Sequence, residues 1–267
     1  MRSKAKIALG IAKWSLLAAY LLTTLSFADR KTQALICTGI EVKITDSMEN
    51  RFVRSKDVVE LIEQRMYSPI GHPLKQINTL QMEEYLSEIL ASRSVSAYKT
   101  NEGKLRVRIE QRNPIMRIIN RNGRSFYIDS DGKVFPLSSK FTSHVLVVNG
   151  NISETFEAGR EVCEPVEGSN PAEKPPLICG LFQLARYIAE DSFWNAQIAQ
   201  VYVDSPNSIE LIPRVGPHVI LLGSIEDYEG KLSKLKLFYE QALPVEGWNK
   251  YKLVNLKYNN QIICTKR

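Results

Sequence analysis

The chain has 267 residues, of which 44% are hydrophobic and 24% are charged, a composition typical of one or two folded domains. This composition excludes a disordered chain, a collagen-like repeat and a polytopic membrane protein. The formal net charge is +6, but residues 1–31 hold six basic residues and one acid, which leaves +1 for the rest of the chain. Because the excess lies at one end, it does not indicate nucleic-acid binding, and we expect no nucleic-acid partner.

A membrane segment is predicted near the N-terminus. Residues Ile7 to Phe27 form an apolar stretch that includes Trp14 and in which Lys13 is the only charge. As a helix this stretch would be about 30 Å long, which matches the hydrocarbon thickness of a bilayer. Basic residues precede it, so the positive-inside rule places the N-terminus in the cytoplasm.

We therefore predict a cytoplasmic tail over residues 1–6 and an uncleaved transmembrane anchor in the lipid bilayer over residues 7–28. The alternative is a cleavable signal peptide, because Ser26-Phe27-Ala28 resembles a small-x-small cleavage site. The apolar run after Lys13 is long for a signal peptide, which favours the anchor. Both interpretations send residues 32–267 across the membrane.

Residues 36–112 are predicted to form a two-layer α+β domain in the order β-α-α-β-β. The first strand, Gly39 to Thr45, alternates apolar and polar residues. Ser55 and Asn78 are expected to cap two amphipathic helices. Two strands then flank the turn at residues 101–103. The apolar helix positions are Val58, Val59, Ile62 and Met66, then Met82, Leu86, Ile89 and Leu90.

A β-rich domain with flanking helices is predicted over residues 113–267, because short strands joined by tight turns follow Pro114. Asn122-Gly123 is the strongest hairpin signal, and Asp131-Gly132 provides a further turn. Residues 151–177 contain four prolines and few large apolar side chains, which predicts an irregular, mobile insertion.

The four cysteines are Cys37, Cys163, Cys179 and Cys264. They form no CxxC pair and no ligand cluster with a histidine, so we expect no metal. Cys163 and Cys179 could pair in an oxidising compartment, but free or simply packed cysteines are the favoured expectation.

The C-terminal region is predicted to hold a basic amphipathic helix from Glu229 to Leu243, with Lys231, Lys234 and Lys236 on its solvated face. A terminal strand is predicted from about Tyr251 to Cys264. A final strand often lies at a sheet edge and offers its backbone groups to an incoming chain. Val254, Leu256 and Tyr258 would lie on one face of this strand.

Motifs for catalysis are absent from the sequence. Asp129-Ser130-Asp131-Gly132 resembles the start of a calcium loop, but Lys140 stands at the twelfth loop position, so a hairpin turn is favoured. The histidines have no acid or cysteine near them in sequence, and no GxSxG, HExxH, Walker A or GxGxxG motif occurs. We therefore expect neither an enzyme nor a cofactor.

The order of these elements resembles the bacterial cell-division family FtsQ/DivIB, in which a POTRA module is the first exported domain. Four segments carry the resemblance: Gly39 to Val42 as the first POTRA strand, Leu105 to Ile115 as the domain junction, Tyr127 to Phe135 as the "ID-x-x-G-x-v-f" hairpin, and Val254 to Tyr258 as the terminal strand. Gln111, Asn255 and the 151–177 insertion depart from the family pattern.

The resemblance implies a non-enzymatic scaffold of the division septum. It would be a single-pass protein of the inner membrane, with the POTRA domain and the C-terminal β domain in the periplasm. Its partners would be FtsB and FtsL, and through them it would help to regulate the septal peptidoglycan synthase. The resemblance points to Lys257, Tyr258, Asn259 and Asn260 as partner-binding candidates. The alternative is that the terminal strand only completes the sheet, with Tyr258 in the core.

Two other functions stay open. POTRA modules also act as docking or chaperone domains in outer-membrane protein assembly and secretion, usually as several copies before a β-barrel. Here one copy is predicted, and the C-terminal half lacks repeated alternating membrane strands. A cell-wall enzyme of unrecognised type is the third class.

Overall fold

The computed structural model describes residues 13–23, 35–45, 51–65, 68–90, 92–155, 157–164, 176–258 and 260–267. The chain divides into two compact units, Met1–Gln111 (unit 1) and Arg112–Arg267 (unit 2). Residues 13–23 form helix α1, in which Trp14 is exposed. The predicted span over 7–28 lies partly outside the described residues, and so do Ile7 and Phe27. Within the described ranges, no helix combines the length and the apolar character needed to cross a bilayer.

Unit 1 has the predicted β-α-α-β-β order. Its sheet has the strand order β1-β3-β2, in which β1 runs parallel and β2 antiparallel to the central β3. A 3₁₀ turn at Leu74–Gln76 precedes the second of the two long helices. The elements are β1 (Gly39–Thr45), α2 (Ser55–Arg65), α3 (Thr79–Ile89), β2 (Ser92–Lys99) and β3 (Lys104–Gln111).

One face of this sheet is buried under the helices. Along β3 the buried residues alternate with residues that are not buried, as a sheet covered on one side requires. Asn78 caps α3 as predicted, because its Oδ1 accepts a hydrogen bond from the Gln81 amide (3.2 Å). Ile89, predicted to lie inward, is exposed at the end of α3. The buried core side chains are Val58, Ile62, Met82, Leu86, Leu105, Val107 and Ile109.

Unit 2 contains a nine-stranded mixed sheet with the order β12-β11-β10-β9-β8-β7-β4-β5-β6. Its strands are β4 (Pro114–Ile119), β5 (Ser125–Asp129), β6 (Val134–Pro136), β7 (Leu146–Gly150), β8 (Ile198–Ser205), β9 (Ser208–Pro213), β10 (Val219–Gly223), β11 (Tyr251–Asn255) and β12 (Ile263–Lys266). Its helices are α4 (Leu177–Glu190), α5 (Ser192–Gln197), α6 (Tyr228–Leu237) and α7 (Leu243–Glu246), with a π-helical turn at Phe238–Ala242. The helices and strands bury a shared apolar core.

The predicted hairpin turn at residues 129–132 is organised by Asp129. Its Oδ1 accepts hydrogen bonds from the amides of Asp131 (3.0 Å) and Lys133 (2.8 Å), and its Oδ2 lies 2.6 Å from Nη1 of Arg112. Asp129 is buried, so these donors and the guanidinium compensate its desolvation. The Asp of the "ID-x-x-G" motif therefore closes a turn and holds Arg112 at the start of unit 2.

The described part of the 151–177 segment is packed. Ile152 and Val162 are buried, and Val134 of β6 exchanges backbone hydrogen bonds with Gly159 and Arg160 (2.7 and 2.9 Å). Residues 165–175 lie outside the described part of the chain. The expectation of unpaired cysteines is wrong for this region, because Cys163 and Cys179 form a disulfide. Cys37 and Cys264 are free thiols.

Lys231 and the C-terminal strand differ from their predictions. Lys231 is buried rather than solvated, and its Nζ donates to the carbonyls of Ser224 (2.9 Å) and Glu226 (2.7 Å), which replace the lost water. Burial lowers the pKa of its amine. The predicted single strand from 251 to 264 is instead the antiparallel pair β11 and β12, separated by residues 256–262.

An aromatic cluster in unit 2 surrounds a buried histidine. His218 Nε2 lies 2.7 Å from the hydroxyl of Tyr239, whose ring packs edge-on against Trp248. Both His218 and Tyr239 are buried, and burial lowers the pKa of the imidazole and raises that of the phenol. His218 Nδ1 has no hydrogen-bond partner among the described residues. The neutral imidazole is therefore the form that fits this site.

Packing of unit 1 can be tested with a fragment of residues 35–111, which we expect to fold cooperatively. Leu86→Ala should lower its free energy of unfolding by about 2–5 kcal/mol, because Leu86 is fully buried and its truncation leaves a cavity. Leu80→Ala on the same helix should change it by less than about 0.5 kcal/mol, since Leu80 is 64% exposed. Urea unfolding followed by circular dichroism measures both, and equal effects would contradict the assigned helix faces.

A pH dependence of unit 2 follows from His218. Because burial lowers its folded-state pKa, the unfolded chain binds the proton more readily, and the stabilisation present above about pH 6.5 is lost as the pH falls. His218→Gln should reduce the loss of unfolding free energy between pH 7.5 and pH 5. The exposed His144 provides the control, and His144→Gln should follow the parent. Superimposable pH profiles for parent and His218→Gln would refute the neutral buried imidazole.

Candidate partner-binding edge

The two edge strands of the nine-stranded sheet differ in how their backbone groups are paired. At the β6 edge, the backbone of Val134 is already paired with residues 159 and 160, and Pro136 lacks an N–H group. At the other edge, β12 pairs only with β11. Among the described residues, β12 is therefore the edge of this sheet that is available to another chain.

The direction of the free backbone groups on β12 follows from its pairing. The amide of Arg267 donates to the carbonyl of Lys250 (3.1 Å), which places the N–H of Arg267 on the β11 side. Directions alternate along a strand, so Thr265 also faces β11, whereas Cys264 and Lys266 present their N–H and C=O groups outward. These outward groups have no partner in the described part of the chain. They form a short template for one added strand.

The loop between β11 and β12 is held by three hydrogen bonds. The amide of Leu256, whose side chain is buried, donates to the carbonyl of Leu221 (2.9 Å). The Oδ1 of Asn255 accepts from the Lys257 amide (2.9 Å), an Asx turn that Asp could also form. Lys234 Nζ of α6 donates to the carbonyl of Tyr258 (2.8 Å). The loop therefore has a defined path away from the core.

The four predicted partner-binding residues lie in this loop and not on a strand. Lys257, Tyr258 and Asn260 are exposed, with half of Tyr258 accessible to solvent, and Asn259 lies outside the described residues. The alternative that Tyr258 is a core residue is wrong. The structure thus brings the predicted residues next to the open edge, but the edge itself is β12, which the sequence pattern predicts only as the end of one long strand.

Gly223 and Lys257 make a close approach beside this loop. Gly223 has a φ of +82°, and a Cβ atom there would lie 2.6 Å from Cγ of Lys257. A larger residue would be strained in this conformation and would displace Lys257. Lys231, bound to the carbonyls of residues 224 and 226, holds the chain that follows Gly223. The buried lysine therefore supports the surface from inside.

The edge has a basic and partly apolar surface. The side chain of Ile263 is 43% exposed on β12, and the strands and the loop carry the exposed residues Lys252, Lys257 and Lys266. Such a surface fits an extended segment with acidic and apolar side chains. The described residues contain no cluster of three or more His, Cys, Asp or Glu that could hold a metal ion. What this site can do chemically is bind a strand.

Comparisons with known families agree with the two-unit architecture. A model of the POTRA-like domain matches residues 35–110. A model described as "FtsQ/DivIB, C-terminal related" matches residues 113–265, which is more than half of the chain. A search of curated proteins gives no match. The resemblance seen in the sequence is confirmed: this is a division-related scaffold with a POTRA-like domain, and the chain belongs to the FtsQ/DivIB family.

Proposed function

We propose that the chain is a non-enzymatic, single-pass scaffold of the bacterial division septum. Residues 7–28 anchor it in the inner membrane, residues 1–6 lie in the cytoplasm, and the POTRA domain (36–112) and the C-terminal β domain (113–267) lie in the periplasm. The edge strand β12 and the adjoining loop bind FtsB- and FtsL-type proteins, and this contact helps to regulate the septal peptidoglycan synthase complex. The observation that carries the proposal is the open β12 edge beside the exposed residues Lys257, Tyr258 and Asn260.

Strand addition suits a protein with this edge. Main-chain hydrogen bonds to the outward groups of Cys264 and Lys266 would supply affinity, and the side chains beside them would supply specificity. Tyr258 and Ile263 offer apolar area, and Lys257 offers a charge for an acidic partner residue. The likeness to FtsQ/DivIB proteins directs the proposal to FtsB and FtsL rather than to an arbitrary peptide.

Export is supported by the disulfide. Disulfides persist in oxidising compartments such as the bacterial periplasm and are rare in the cytosol. The Cys163–Cys179 bond lies within unit 2, which follows the predicted anchor. Its formation therefore favours a chain whose C-terminal part crosses the membrane.

Docking of unfolded strands on unit 1, the alternative function of POTRA modules, has less support. Strand β2 is an edge of the unit 1 sheet, but the amide of Ala97 already donates to Oε1 of Glu83 on α3 (2.6 Å). An incoming strand would have to displace this carboxylate. We therefore retain the open edge of unit 2 as the partner site.

The partner site can be tested with proline substitutions on β12. Lys266→Pro removes an outward N–H group, and we expect it to weaken binding of an FtsB–FtsL complex by about tenfold or more, because one hydrogen bond is lost and the ring crowds the incoming strand. The melting temperature should stay near that of the parent, since this N–H group does not bond to β11. Biolayer interferometry and differential scanning fluorimetry measure the two quantities.

Matched variants distinguish the contribution of the backbone N–H group to binding from that of the side chain. Lys266→Ala should bind like the parent, whereas Thr265→Pro should lower the melting temperature because its N–H group faces β11. Lys257→Glu should weaken binding without loss of stability if the partner face is acidic. Full binding by Lys266→Pro and Lys257→Glu together would place the partner site elsewhere.

Export can be tested by counting the free cysteine thiols that the protein has in growing cells, trapped by acid before labelling. After acid quenching and denaturation without reductant, a maleimide–polyethylene glycol reagent should modify two of the four cysteines, Cys37 and Cys264, because Cys163 and Cys179 are paired. Prior reduction should give four modifications, and the Cys163→Ser/Cys179→Ser variant should give two with or without reduction. Four modifications in the parent without reductant would contradict export.

A further inference from the structure

Among the described residues, no helix covers the second face of the unit 1 sheet. We define this face by side chains that share one side of the sheet in the strand register: Glu41 and Lys43 of β1, Tyr98 and Ser96 of β2, and Arg106 and Arg108 of β3. The strand register places them in two rows across the sheet. The first row is Glu41, Arg106 and Tyr98, and the second is Lys43, Arg108 and Ser96.

The charges of the first row are satisfied within the sheet. Glu41 accepts hydrogen bonds from Arg106, at 2.8 Å from Nη2, and forms an ion pair with Lys104. These bonds lower the pKa of the Glu41 carboxyl. The guanidinium of Arg106 also lies over the ring of Tyr98, 5.9 Å from its centroid. Glu41 therefore holds Lys104 and Arg106 in place, and this row is a preorganised platform.

The second row carries two positive charges for which the described residues provide no counter-charge. Lys43 and Arg108 are direct cross-strand partners and both are exposed. Neither forms an ion pair with any residue in the described part of unit 1. On the next row Glu110 faces Arg93 (3.7 Å) and does not neutralise them. Like charges directly opposite each other destabilise a sheet, so this pair opposes folding rather than assisting it.

Lys43 and Arg108 do not reflect a general excess of positive charge in the folded part of unit 1. Residues 35–111 hold eleven basic and eleven acidic residues. Helix α3 carries Glu83, Glu84 and Glu88 and no basic residue. A cavity of about 540 Å³ lies over the uncovered face, lined by Glu41, Val42, Lys43, Tyr98, Arg106 and Arg108. Lys43 also lines a second cavity of about 460 Å³ with Arg51 and Arg54.

We propose that the uncovered face of unit 1 is a second interaction surface, which binds an acidic, extended segment of a protein partner with a carboxylate between Lys43 and Arg108. Arg and Tyr are the residues that anchor such interfaces, and Arg108 can bind a carboxylate in a bidentate manner. This surface lies on a different unit from the β12 edge, so the inference does not rest on the proposed function.

A protein segment fits this face better than a lipid surface. An anionic bilayer attracts positive charge spread over a broad area. Here Glu41 and Glu110 lie on either side of the Lys43 and Arg108 row, so the positive charge of the face is not continuous. A discontinuous positive surface fits one or two carboxylates at fixed positions better than an extended anionic surface.

The test uses the purified full chain in a nonionic detergent and a fluorescein-labelled peptide of four Glu-Thr repeats. Fluorescence anisotropy should show binding that weakens with added salt. Lys43→Glu and Arg108→Glu should each raise the Kd about tenfold. Lys75→Glu makes the same change in net charge at an exposed position on the helical side, and it should leave the Kd unchanged.

Stability provides the second measurement. Lys43→Glu places an acid opposite Arg108, so its melting temperature should equal or exceed that of the parent although binding is lost. An unchanged Kd in Lys43→Glu would overturn the proposal even if Arg108→Glu failed to fold. Displacement of the peptide by dihexanoyl phosphatidylglycerol at lower concentrations than by unlabelled peptide would assign the face to a lipid headgroup and would also overturn it.

Discussion

An open β-sheet cannot satisfy the backbone groups of its two edge strands from within, and this constraint organises unit 2. At one edge, residues 159 and 160 bond to β6, and the disulfide between Cys163 and Cys179 ties the following residues to α4. At the other edge, β12 has only one neighbouring strand. The same physical demand is thus met by the chain itself at β6, whereas at β12 the described residues leave it unmet. The proposed scaffold function depends on this asymmetry, because strand addition requires an edge with unpaired backbone groups.

Buried charges shape the loops around this sheet. Asp129 is nearly inaccessible, yet two backbone amides and Arg112 surround its carboxylate. Lys231 is the converse case, a buried cation surrounded by carbonyl oxygens of residues 224 and 226. Loss of the groups that contact Asp129 or Lys231 would leave a charge in an apolar environment, and the free energy lost would exceed that of an ordinary hydrogen bond. Each charge therefore imposes one conformation on its loop, and the loop held by Lys231 supports Lys257.

Unit 1 distributes its charge differently. Residues 35–111 carry no net charge, but the acids of α3 and the cations of the uncovered sheet face lie on separate elements. Glu83 covers the edge amide of Ala97, and Glu41 forms ion pairs with Arg106 and Lys104. On the uncovered face, Lys43 and Arg108 are the cations that form no ion pair with a described residue. Local pairing thus limits the unpaired positive charge of this face to one row.

Local sequence patterns were enough to determine much of this protein. The alternation in Gly39–Thr45 and Lys104–Gln111, the cap at Asn78 and the turn signals at residues 122–123 and 131–132 act over a few residues, so their structures could be predicted. The order of these elements also sufficed to identify the FtsQ/DivIB family. Only the tertiary structure decided that Lys231 points inward, that Cys163 meets Cys179 and that residues 251–264 form two strands. These features depend on tertiary contacts. Carbonyl oxygens of residues 224 and 226 replace water around the Lys231 amine, packing brings Cys163 within reach of Cys179, and the pairing of β11 with β12 divides residues 251–264 into two strands. For the same reason the sequence placed the candidate residues 257–260 near the edge but could not identify β12 as the edge itself.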